Sequence, residues 1–250
     1  MTVESLAGRK ALVTGASRGI GRAIARAVAE AGADVAIGYR READAARSLA
    51  TEIEALGRRA AIFAADVRDY DAVKAMVLGA HAALGGLDIV VANAGVPTRF
   101  EPLHEVDIGY WKRVISIDLD GVFHTLHAAL PLLRAQRSGV ILTISSIAAD
   151  ERQANGGPYI AAKAGVNALT KVVARENARL GIRANVVAPG LIQTDIADGM
   201  LAQHGERLIK AIPLGRIGTP EEVAQLCVYL ASDAAAWITG KVFHIDGGQW

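Results

Sequence analysis

The chain has 250 residues, of which 52% are hydrophobic and 5% aromatic, and its formal net charge at pH 7 is +1. This length is ordinary for a single α/β domain with one buried core. The near-neutral charge gives no indication of a nucleic-acid partner or of binding to an anionic membrane, and no apolar run is long enough to span a bilayer. Because the chain has one cysteine, Cys227, and no signal-peptide pattern at its start, we expect no internal disulfide and a cytoplasmic location.

The first predicted unit is a strand, a glycine-rich turn, a helix and a second strand. Residues 10–14 predict the first strand, Thr14-Gly-Ala-Ser-Arg-Gly-Ile-Gly21 opens the helix, and residues 34–39 predict the second strand. Glycines in such a turn let the backbone approach a pyrophosphate, whose charge is favoured at the helix N-terminus. The spacing Gly-x-x-x-Gly-x-Gly differs from the standard dinucleotide fingerprint. The motif alone therefore also fits a tight strand-to-helix connection, but its position between strand and helix favours dinucleotide binding.

The residues that follow the second strand favour NADP(H) over NAD(H). An acidic side chain at this position would bind the 2′-hydroxyl of the adenosine ribose, but this chain has Tyr39, Arg40 and Arg41 there, with Arg18 in the glycine-rich turn. Arginine pairs bidentately with phosphate, so we interpret the arginines as a 2′-phosphate site. The alternative is that Arg40 and Arg41 belong to a solvated loop and that the cofactor is NAD(H).

Strands and helices alternate along the middle of the chain, which predicts an α/β fold with a parallel, doubly wound sheet and helices on both faces. Residues 60–65 and 87–92 are predicted strands. Asp66 follows the first of them and is a candidate for binding adenine, because the carboxyl ends of strands face the ligand crevice of an open sheet. Asn93, which begins Asn93-Ala94-Gly95 after the second strand, either faces the cofactor or anchors the turn.

Two helices of this region carry further candidates. Asp69 or Asp71 is expected to cap the helix between these two strands, and residues 107–133 predict one long amphipathic helix. His124 and His127 on that helix are three residues apart, a spacing that could share a metal ion, but no carboxylate-rich motif accompanies them. We therefore predict no metal site.

The candidate catalytic residues lie between residues 146 and 163. A predicted strand over residues 140–144 leads towards Ser146, and Tyr159 and Lys163 follow with helical spacing. Residues four apart lie on one face of a helix, so the phenol and the ammonium can point into the same space, across from the serine. An ammonium favours the phenolate form of a tyrosine, whose pKa is about 10 when free, and such a tyrosine can exchange a proton with a carbonyl or alcohol oxygen. Tyr-x-x-x-Lys alone also occurs by chance in many helices.

In this order and at this spacing, the motifs resemble those of the classical short-chain dehydrogenases/reductases, most closely the 3-oxoacyl-[acyl-carrier-protein] reductase-like branch. The resemblance covers nearly the whole chain and also includes Asn185-Val-Val-Ala-Pro-Gly190 and the ending at residues 238–248. It implies a single Rossmann domain over residues 1–250, with about seven parallel strands and a substrate lid near residues 191–212. It also implies a homotetramer and hydride transfer between NADP(H) and a ketone or secondary alcohol, such as a 3-oxoacyl group.

The resemblance further implies a role for each site residue. Ser146 would polarise the substrate carbonyl, Tyr159 would act as general acid or base, and Lys163 would hold the nicotinamide ribose. The residues implied to bind the cofactor are Gly15, Ser17, Arg18, Gly19, Ile20, Gly21, Tyr39, Arg40, Arg41, Asp66, Val67, Asn93, Ala94, Gly95, Tyr159, Lys163, Pro189, Gly190, Ile192 and Thr194. Asp118 is a fourth catalytic candidate: it stands where many family members carry an asparagine that supports a water relay to the lysine, so we expect an altered pH–rate profile.

The substrate is less well defined by the sequence. The apolar content of residues 191–212 suits a small or medium hydrophobic ketone or a 3-oxoacyl group. The residues expected to face the substrate before Tyr159 are Gln153, Ala154 and Asn155. Candidates for a basic patch that would bind a carrier protein are Arg99, Lys112 and Arg113, although a solvated surface is the simpler interpretation. Two other functions remain compatible with the sequence: an NAD(H)-dependent dehydrogenase of a sugar or hydroxy acid, and a non-catalytic dinucleotide-binding regulator.

Overall fold

The computed structural model describes residues 5–97, 99–150 and 154–249, without the side chains of residues 196 and 198–204. The strands are β1 (Lys10–Val13), β2 (Asp34–Tyr39), β3 (Ala60–Ala64), β4 (Ile89–Ala92), β5 (Gly139–Ile144), β6 (Ile182–Pro189) and β7 (Val242–Ile245). The α-helices are α1 (Gly19–Glu30), α2 (Ala43–Ala55), α3 (Tyr70–Leu84), α4 (Ile108–Asp118), α5 (Asp120–Gln136), α6 (Gly157–Asn177), α7 (Asp195–Lys210) and α8 (Pro220–Ala231). None of the helices in these ranges combines the length and the apolar content that crossing a bilayer requires.

The strands form one parallel sheet in the order β3-β2-β1-β4-β5-β6-β7. The chain proceeds outward from β1 to β3 and then returns to the other side of β1 as β4, so the strand order reverses between β1 and β4. The loops that follow these two strands diverge and leave a crevice at the carboxyl ends, which is where ligands bind in open α/β sheets. The predicted doubly wound α/β fold with seven strands is confirmed.

The sheet separates two apolar cores, because successive side chains of a strand point to opposite faces. On one face, Val13 and Ile37 pack with residues of α1, α2 and α8. On the other face, Leu12 and Val90 pack with residues of α3, α5 and α6. Burying each such side chain contributes about 1.5–3 kcal/mol. A strand covered on both faces is apolar throughout, which explains why these strands were recognisable as continuous apolar runs.

Helix α3 begins and ends with the capping residues that the sequence indicates. The Asp69 carboxylate accepts hydrogen bonds from the backbone N–H groups of Asp71 (3.0 Å) and Ala72 (3.2 Å). Gly85 follows the last turn with φ 73°, in the left-handed region that glycine adopts without steric cost. The two caps determine the length of α3, and thereby where the chain enters β4.

The single helix predicted over residues 107–133 is wrong, because the structure has two helices, α4 and α5, that meet at Leu119. Leu119 has φ −116° and ψ −60°. Backbone hydrogen bonds nevertheless continue on both sides, from Leu119 N–H to the Ile115 carbonyl and from Phe123 N–H to the Leu119 carbonyl. Because helical hydrogen bonds continue across Leu119, the side chains on both sides keep their helical spacing. The apolar pattern of the sequence therefore does not reveal the change in the backbone.

Candidate active site

A cleft of about 1140 Å³ opens along the carboxyl edge of the sheet, at the point where the strand order reverses. The loops that follow β1, β2, β3, β4, β5 and β6 all contribute to its lining. Every residue named above as catalytic or cofactor-binding lines this cleft, from Gly15 in the first turn to Thr194 before α7. The fold therefore brings into one space residues that are distributed over most of the chain.

The glycine-rich turn brings the N-terminus of α1 to the cleft. Gly15 has φ 64°, and a Cβ at Gly21 would lie 2.4 Å from both the Asn93 side-chain nitrogen and the Gly15 carbonyl oxygen. Helix α1 begins at Gly19 with no side-chain cap and no acidic residue in its first turn. Its first N–H groups are thus left for an anion, which the positive end of the helix dipole also favours. This arrangement fits the phosphates of a dinucleotide.

Thr14 and Asn93 join the ends of β1 and β4 beside this turn. The Thr14 hydroxyl oxygen accepts hydrogen bonds from the N–H groups of Asn93 (3.0 Å) and Ala94 (3.1 Å). In return, Asn93 Nδ2 donates to the carbonyls of Thr14 (2.9 Å) and Gly15 (3.2 Å). Asn93 therefore anchors the turn through its amide while it also lines the cleft. Thr14 was not singled out from the sequence, where its only distinguishing signal is a hydroxyl at the end of a buried strand.

Charged side chains of both signs lie where β2 ends. Arg18, Arg40 and Arg41 are exposed and line the cleft together with Glu42. The Arg18 guanidinium lies 3.9 Å from the Glu42 carboxylate and 3.8 Å from that of Asp195. Three cations thus lie where they could bind a phosphate. The carboxylate of Glu42, which the sequence pattern did not single out, would repel that phosphate.

Asp66, the predicted adenine contact, is held by Arg68. The Arg68 guanidinium donates hydrogen bonds to both carboxylate oxygens, at 2.6–3.1 Å. These hydrogen bonds lower the pKa of Asp66 to about 2, although its partial burial acts in the opposite direction. The Asp66 carboxylate therefore lines the cleft as a fixed hydrogen-bond acceptor that is ionised at neutral pH.

Ser146, Tyr159 and Lys163 meet on the β5 side of the cleft. Ser146 follows β5 and caps a short 3-10 helix, and its Oγ accepts a hydrogen bond from the Ala148 N–H at 3.2 Å. Helix α6 carries Tyr159 and Lys163, and the lysine nitrogen lies 5.5 Å from the centre of the tyrosine ring. The neighbouring hydroxyl of Ser145 is buried and donates to the Lys163 backbone carbonyl at 3.2 Å. Ser146, rather than Ser145, thus has the hydroxyl that is left for a substrate.

A buried ion pair adjoins Tyr159. Lys163 Nζ lies 3.3 Å from Asp118 Oδ1 and donates to the Ile144 carbonyl at 3.1 Å. Asp118 is 0% exposed and Lys163 4%, and the Val96 N–H donates to both carboxylate oxygens at 3.3 Å. A Cβ at Gly95 would lie 2.7 Å from Asp118 Oδ1, so only glycine leaves room for this carboxylate.

The two members of this pair influence each other's ionisation. Burial raises the pKa of Asp118, and the Lys163 ammonium only partly offsets that effect. Burial also disfavours the charged form of Lys163, but the carboxylate of Asp118 and the side chain of Tyr159 outweigh it, so the pKa of Lys163 is raised. Lys163 is therefore held as an ammonium next to the phenol.

The rest of the cleft is lined mainly by apolar side chains near α4 and α7. Among these apolar side chains are Phe100, Ile160, Leu191 and Leu208, and one cation, Arg113, lines the cleft with them. Part of the predicted lid, the segment 191–212, thus contributes to the lining, whereas the side chains of Met200 and Leu201 lie outside the described residues.

The segment before Tyr159 differs from the expectation that it faces the substrate. Ala154 and Asn155 do not line the cleft, and the Asn155 carbonyl instead accepts a hydrogen bond from the Glu101 N–H at 2.8 Å. Gln153, the third residue of that expectation, lies outside the described residues.

The two histidines of α5 are engaged in contacts with the segment around the start of α3. His124 Nδ1 hydrogen-bonds to the Val67 carbonyl at 2.8 Å, and His127 Nδ1 to the Tyr70 hydroxyl at 2.9 Å. Among the residues that the structure describes, no group of three or more His, Cys, Asp or Glu side chains is placed to hold a metal ion.

Comparison with known proteins identifies the family. Residues 15–249 match the family described as enoyl-(acyl carrier protein) reductase. The chain is 44% identical over 245 residues to the cis-4-hydroxycyclohexanecarboxylate dehydrogenase of Sinomonas cyclohexanicum, with 98% of each chain covered. It is 41% identical over 242 residues to the 3-oxoacyl-[acyl-carrier-protein] reductase of Staphylococcus aureus, with 97% of this chain and 98% of the relative covered. A short-chain type dehydrogenase/reductase from Mycobacterium marinum has a similar crystal structure, with a TM-score of 0.93 and 38% identity, covering 99% of this chain and 97% of that one. The chain therefore belongs to the classical short-chain dehydrogenases/reductases and is an oxidoreductase of that family.

Proposed function

We propose that the chain is an NADP(H)-dependent oxidoreductase that transfers a hydride between the nicotinamide and a ketone or secondary alcohol. One observation carries the proposal: the uncapped N-terminus of α1, the arginines after β2 and the trio of Ser146, Tyr159 and Lys163 line the same cleft. A non-catalytic dinucleotide-binding regulator would need only the first two of these features. The trio adds the groups that proton transfer to a carbonyl oxygen requires.

We assign a different part of the cleft to each part of the cofactor. NADP(H), when bound, supplies or accepts the hydride. The N–H groups at the start of α1 would bind the pyrophosphate, and Asp66 and Val67 would contact the adenine. The residues proposed to hold the nicotinamide are Pro189, Gly190, Ile192 and Thr194. Gly190 suits this role because its backbone is closely packed, with a Cβ there falling 2.8 Å from that of Asp246.

The preference for NADP(H) rests on the charges at the end of β2. Arg18, Arg40 and Arg41 can donate hydrogen bonds to a 2′-phosphate, and charge-assisted hydrogen bonds to phosphate are among the stronger polar contacts. Arg18 is already near two carboxylates, Glu42 and Asp195, at 3.8–3.9 Å. These exposed contacts are long, so a phosphate can replace them at small cost.

The proton is transferred between Tyr159 and the substrate oxygen. During reduction, the Ser146 hydroxyl would donate a hydrogen bond that orients the carbonyl oxygen, and the Tyr159 hydroxyl would give its proton to that oxygen. During oxidation, the phenolate takes the proton of the alcohol. The Lys163 ammonium, 5.5 Å from the ring centre, stabilises the phenolate that remains after reduction.

Asp118 changes the electrostatics of this centre. Its carboxylate lies 3.3 Å from Lys163 Nζ and keeps the lysine charged despite burial, but its own negative charge opposes formation of the Tyr159 phenolate. An asparagine would lack both effects. We therefore propose that Asp118 positions Lys163 and shifts the pH dependence of the reaction without abolishing it.

The relatives suggest two substrate classes. One is named for a hydroxycyclohexanecarboxylate and the other for a 3-oxoacyl group; each carries a ketone or a secondary alcohol, and the first also carries a carboxylate. The second candidate function is an NAD(H)-dependent dehydrogenase of a hydroxy acid. It is favoured by the carboxylate of Glu42, which lines the cleft beside the arginines and would accept a hydrogen bond from a ribose hydroxyl.

We further propose that the enzyme works as a homotetramer in the cytoplasm. The resemblance to the family implies this assembly, and the exposed side chains of Phe123, Val172 and Trp237 are where a contiguous apolar interface would be sought. Light scattering on a size-exclusion column would test this assembly.

A nicotinamide assay over a panel of ketones, run in parallel with NADPH and NADH, tests the proposal. We expect turnover with NADPH, and in Tyr159→Phe a fall in kcat of about 10²- to 10⁴-fold with NADPH binding little changed. Tyr229→Phe is the matched control, because Tyr229 lies on α8 outside the cleft. Cofactor binding without turnover of any ketone or alcohol would contradict the proposal, and faster turnover with NADH would favour the second candidate.

A further inference from the structure

Arg113 is a cation in the cleft for which neither the fold nor the proposed reaction provides a partner. Its exposed side chain lines the cleft, and its guanidinium forms no hydrogen bond or ion pair with any residue that the structure describes. The segment that precedes α4 contains acidic residues, but none of those that the structure describes forms an ion pair with Arg113. Asp118, the acidic residue at the end of α4, already forms an ion pair with Lys163 at 3.3 Å.

The position of Arg113 on α4 places it on the substrate side of the cleft. It precedes Ile117, another lining residue, by one helical turn, so the two share a helix face. The rise of an α-helix puts the Cα of Arg113 roughly 7.5 Å from that of Asp118 along the helix axis. In the described part of the chain, the other cations that line the cleft are Arg18, Arg40, Arg41 and Lys163. The first three follow β1 and β2, whereas Lys163 is buried beside Tyr159.

The surroundings of Arg113 define what could bind there. Phe100, Ile117 and Ile160 give the cleft an apolar lining, which suits the hydrocarbon part of a substrate. A guanidinium has five N–H donors, no acceptor, and a charge at every physiological pH. Its planar geometry matches a carboxylate, which it binds through two parallel hydrogen bonds.

We infer that Arg113 binds a carboxylate on the substrate, so that the enzyme acts on a small oxo acid or hydroxy acid. The inference rests on the proposed function and names the substrate class for the same site. Arg113 lies on the same helix as Asp118, which contacts Lys163, and both line the cleft, so we place the anion a few bonds from the reacting carbon. The phosphate of a carrier-bound thioester is separated from its acyl group by a long arm and would lie farther from that carbon.

The experiment compares matched pairs of ketones that differ only in charge. The probes are 4-oxopentanoate and 5-oxohexanoate, each beside its primary amide, with 3-oxobutanoyl-coenzyme A as the thioester. The value of kcat/KM is measured with NADPH for the wild type, Arg113→Ala, Arg113→Lys and the control Arg175→Ala. Arg175 is an exposed arginine of α6 that does not line the cleft.

We expect the wild type to prefer at least one acid over its amide. In Arg113→Ala, kcat/KM for that acid should fall about 10- to 100-fold, mainly through KM, because a hydrogen-bonded charge pair is lost. The value for the amide should stay the same. Arg113→Lys should retain part of the preference, because it keeps the charge but not the bidentate geometry, and Arg175→Ala should retain all of it.

Three results would overturn the inference while leaving the proposed function intact: equal turnover of acid and amide by the wild type, an equal loss for both in Arg113→Ala, or a preferred thioester whose kcat/KM is unaffected by Arg113→Ala. If none of these probes is turned over while other ketones of the panel are, the inference is likewise overturned; if no ketone or alcohol is turned over, the proposed function fails and the inference fails with it.

Discussion

Two ion pairs in the same cleft differ in almost every physical respect. Lys163 and Asp118 are 3.3 Å apart with side chains 5% and 0% exposed, whereas Arg18 and Glu42 are 3.9 Å apart with side chains 54% and 47% exposed. Removing one partner of a buried pair costs about 3–5 kcal/mol, because the other charge is left without compensation. An exposed pair contributes about 0–1 kcal/mol, because water solvates both groups when they separate.

This difference distinguishes the two ends of the cleft. Around Lys163 and Asp118, separating the two charges has a high free-energy cost. We therefore expect the ammonium of Lys163 to remain next to Tyr159 whether or not substrate is present. At the end of β2, where we propose that the adenosine binds, Arg18 can exchange its carboxylate contacts for a phosphate at little cost. In the proposed function, rigidity is thus concentrated where the proton moves, and adaptability where the cofactor is recognised by its charge.

The largest expected effect comes from breaking the buried pair. In Lys163→Met, the Asp118 carboxylate stays buried without a cation, and we expect the free energy of unfolding to fall by about 3–5 kcal/mol. Arg18→Met, which breaks the exposed contacts, should cost less than about 1 kcal/mol. Urea unfolding at one fixed protein concentration measures both.

Two further variants control for side-chain size and for the remaining charge. Lys171→Met replaces an exposed lysine of the same helix and should be nearly neutral. Lys163→Met combined with Asp118→Asn should recover part of the loss, because no charge remains buried. If Lys163→Met were no more destabilising than Lys171→Met, the contrast between the two pairs would be wrong.

An intermediate effect is expected at the adenosine end. Arg40→Ala and Arg41→Ala should each raise the Kd for NADPH by about 10- to 100-fold, since a charge-assisted hydrogen bond is worth about 1.5–3 kcal/mol, and should leave the Kd for NADH almost unchanged. Fluorescence titration with both cofactors gives the ratio. Arg47→Ala is the control, because Arg47 is an exposed residue of α2 outside the cleft. An equal loss of affinity for NADH would show that these arginines do not bind the 2′-phosphate.

The smallest effect is a change in pH dependence from Asp118→Asn. Without this carboxylate, the burial of Lys163 is less compensated, which lowers the pKa of the lysine. The lysine then loses its charge at lower pH, so the alkaline limb of the profile for alcohol oxidation should move to lower pH. We expect this limb to move by about one unit while the enzyme remains active.

Initial rates over a pH series, in wild type and variant, measure this displacement. Asp120→Asn is the matched control, because Asp120 is exposed at the start of α5 and does not line the cleft. A profile that stays in place, or an alkaline limb that moves to higher pH, would contradict the role assigned to Asp118.

Much of the fold was predictable, because its signals are local. β2 spans residues 34–39 as predicted, and other strands, such as β1 and β3, differ by one residue at an end. The break at Leu119 was missed because it leaves the apolar pattern intact. The strand-anchoring hydrogen bonds of Thr14 were missed for another reason, because they depend on how closely β4 approaches β1.

By itself, the sequence determined the elements and their local geometry: apolar runs that become strands, a glycine turn before α1, and a phenol one helical turn from an ammonium. These features depend on residues close together along the chain, where bond geometry and helix periodicity leave few alternatives. Only the tertiary structure decided that Asp118 is buried against Lys163 and that Arg113 lines the cleft without a partner. Both depend on how α4 packs against α6, and the packing of two helices follows from the whole sheet order and not from any one segment.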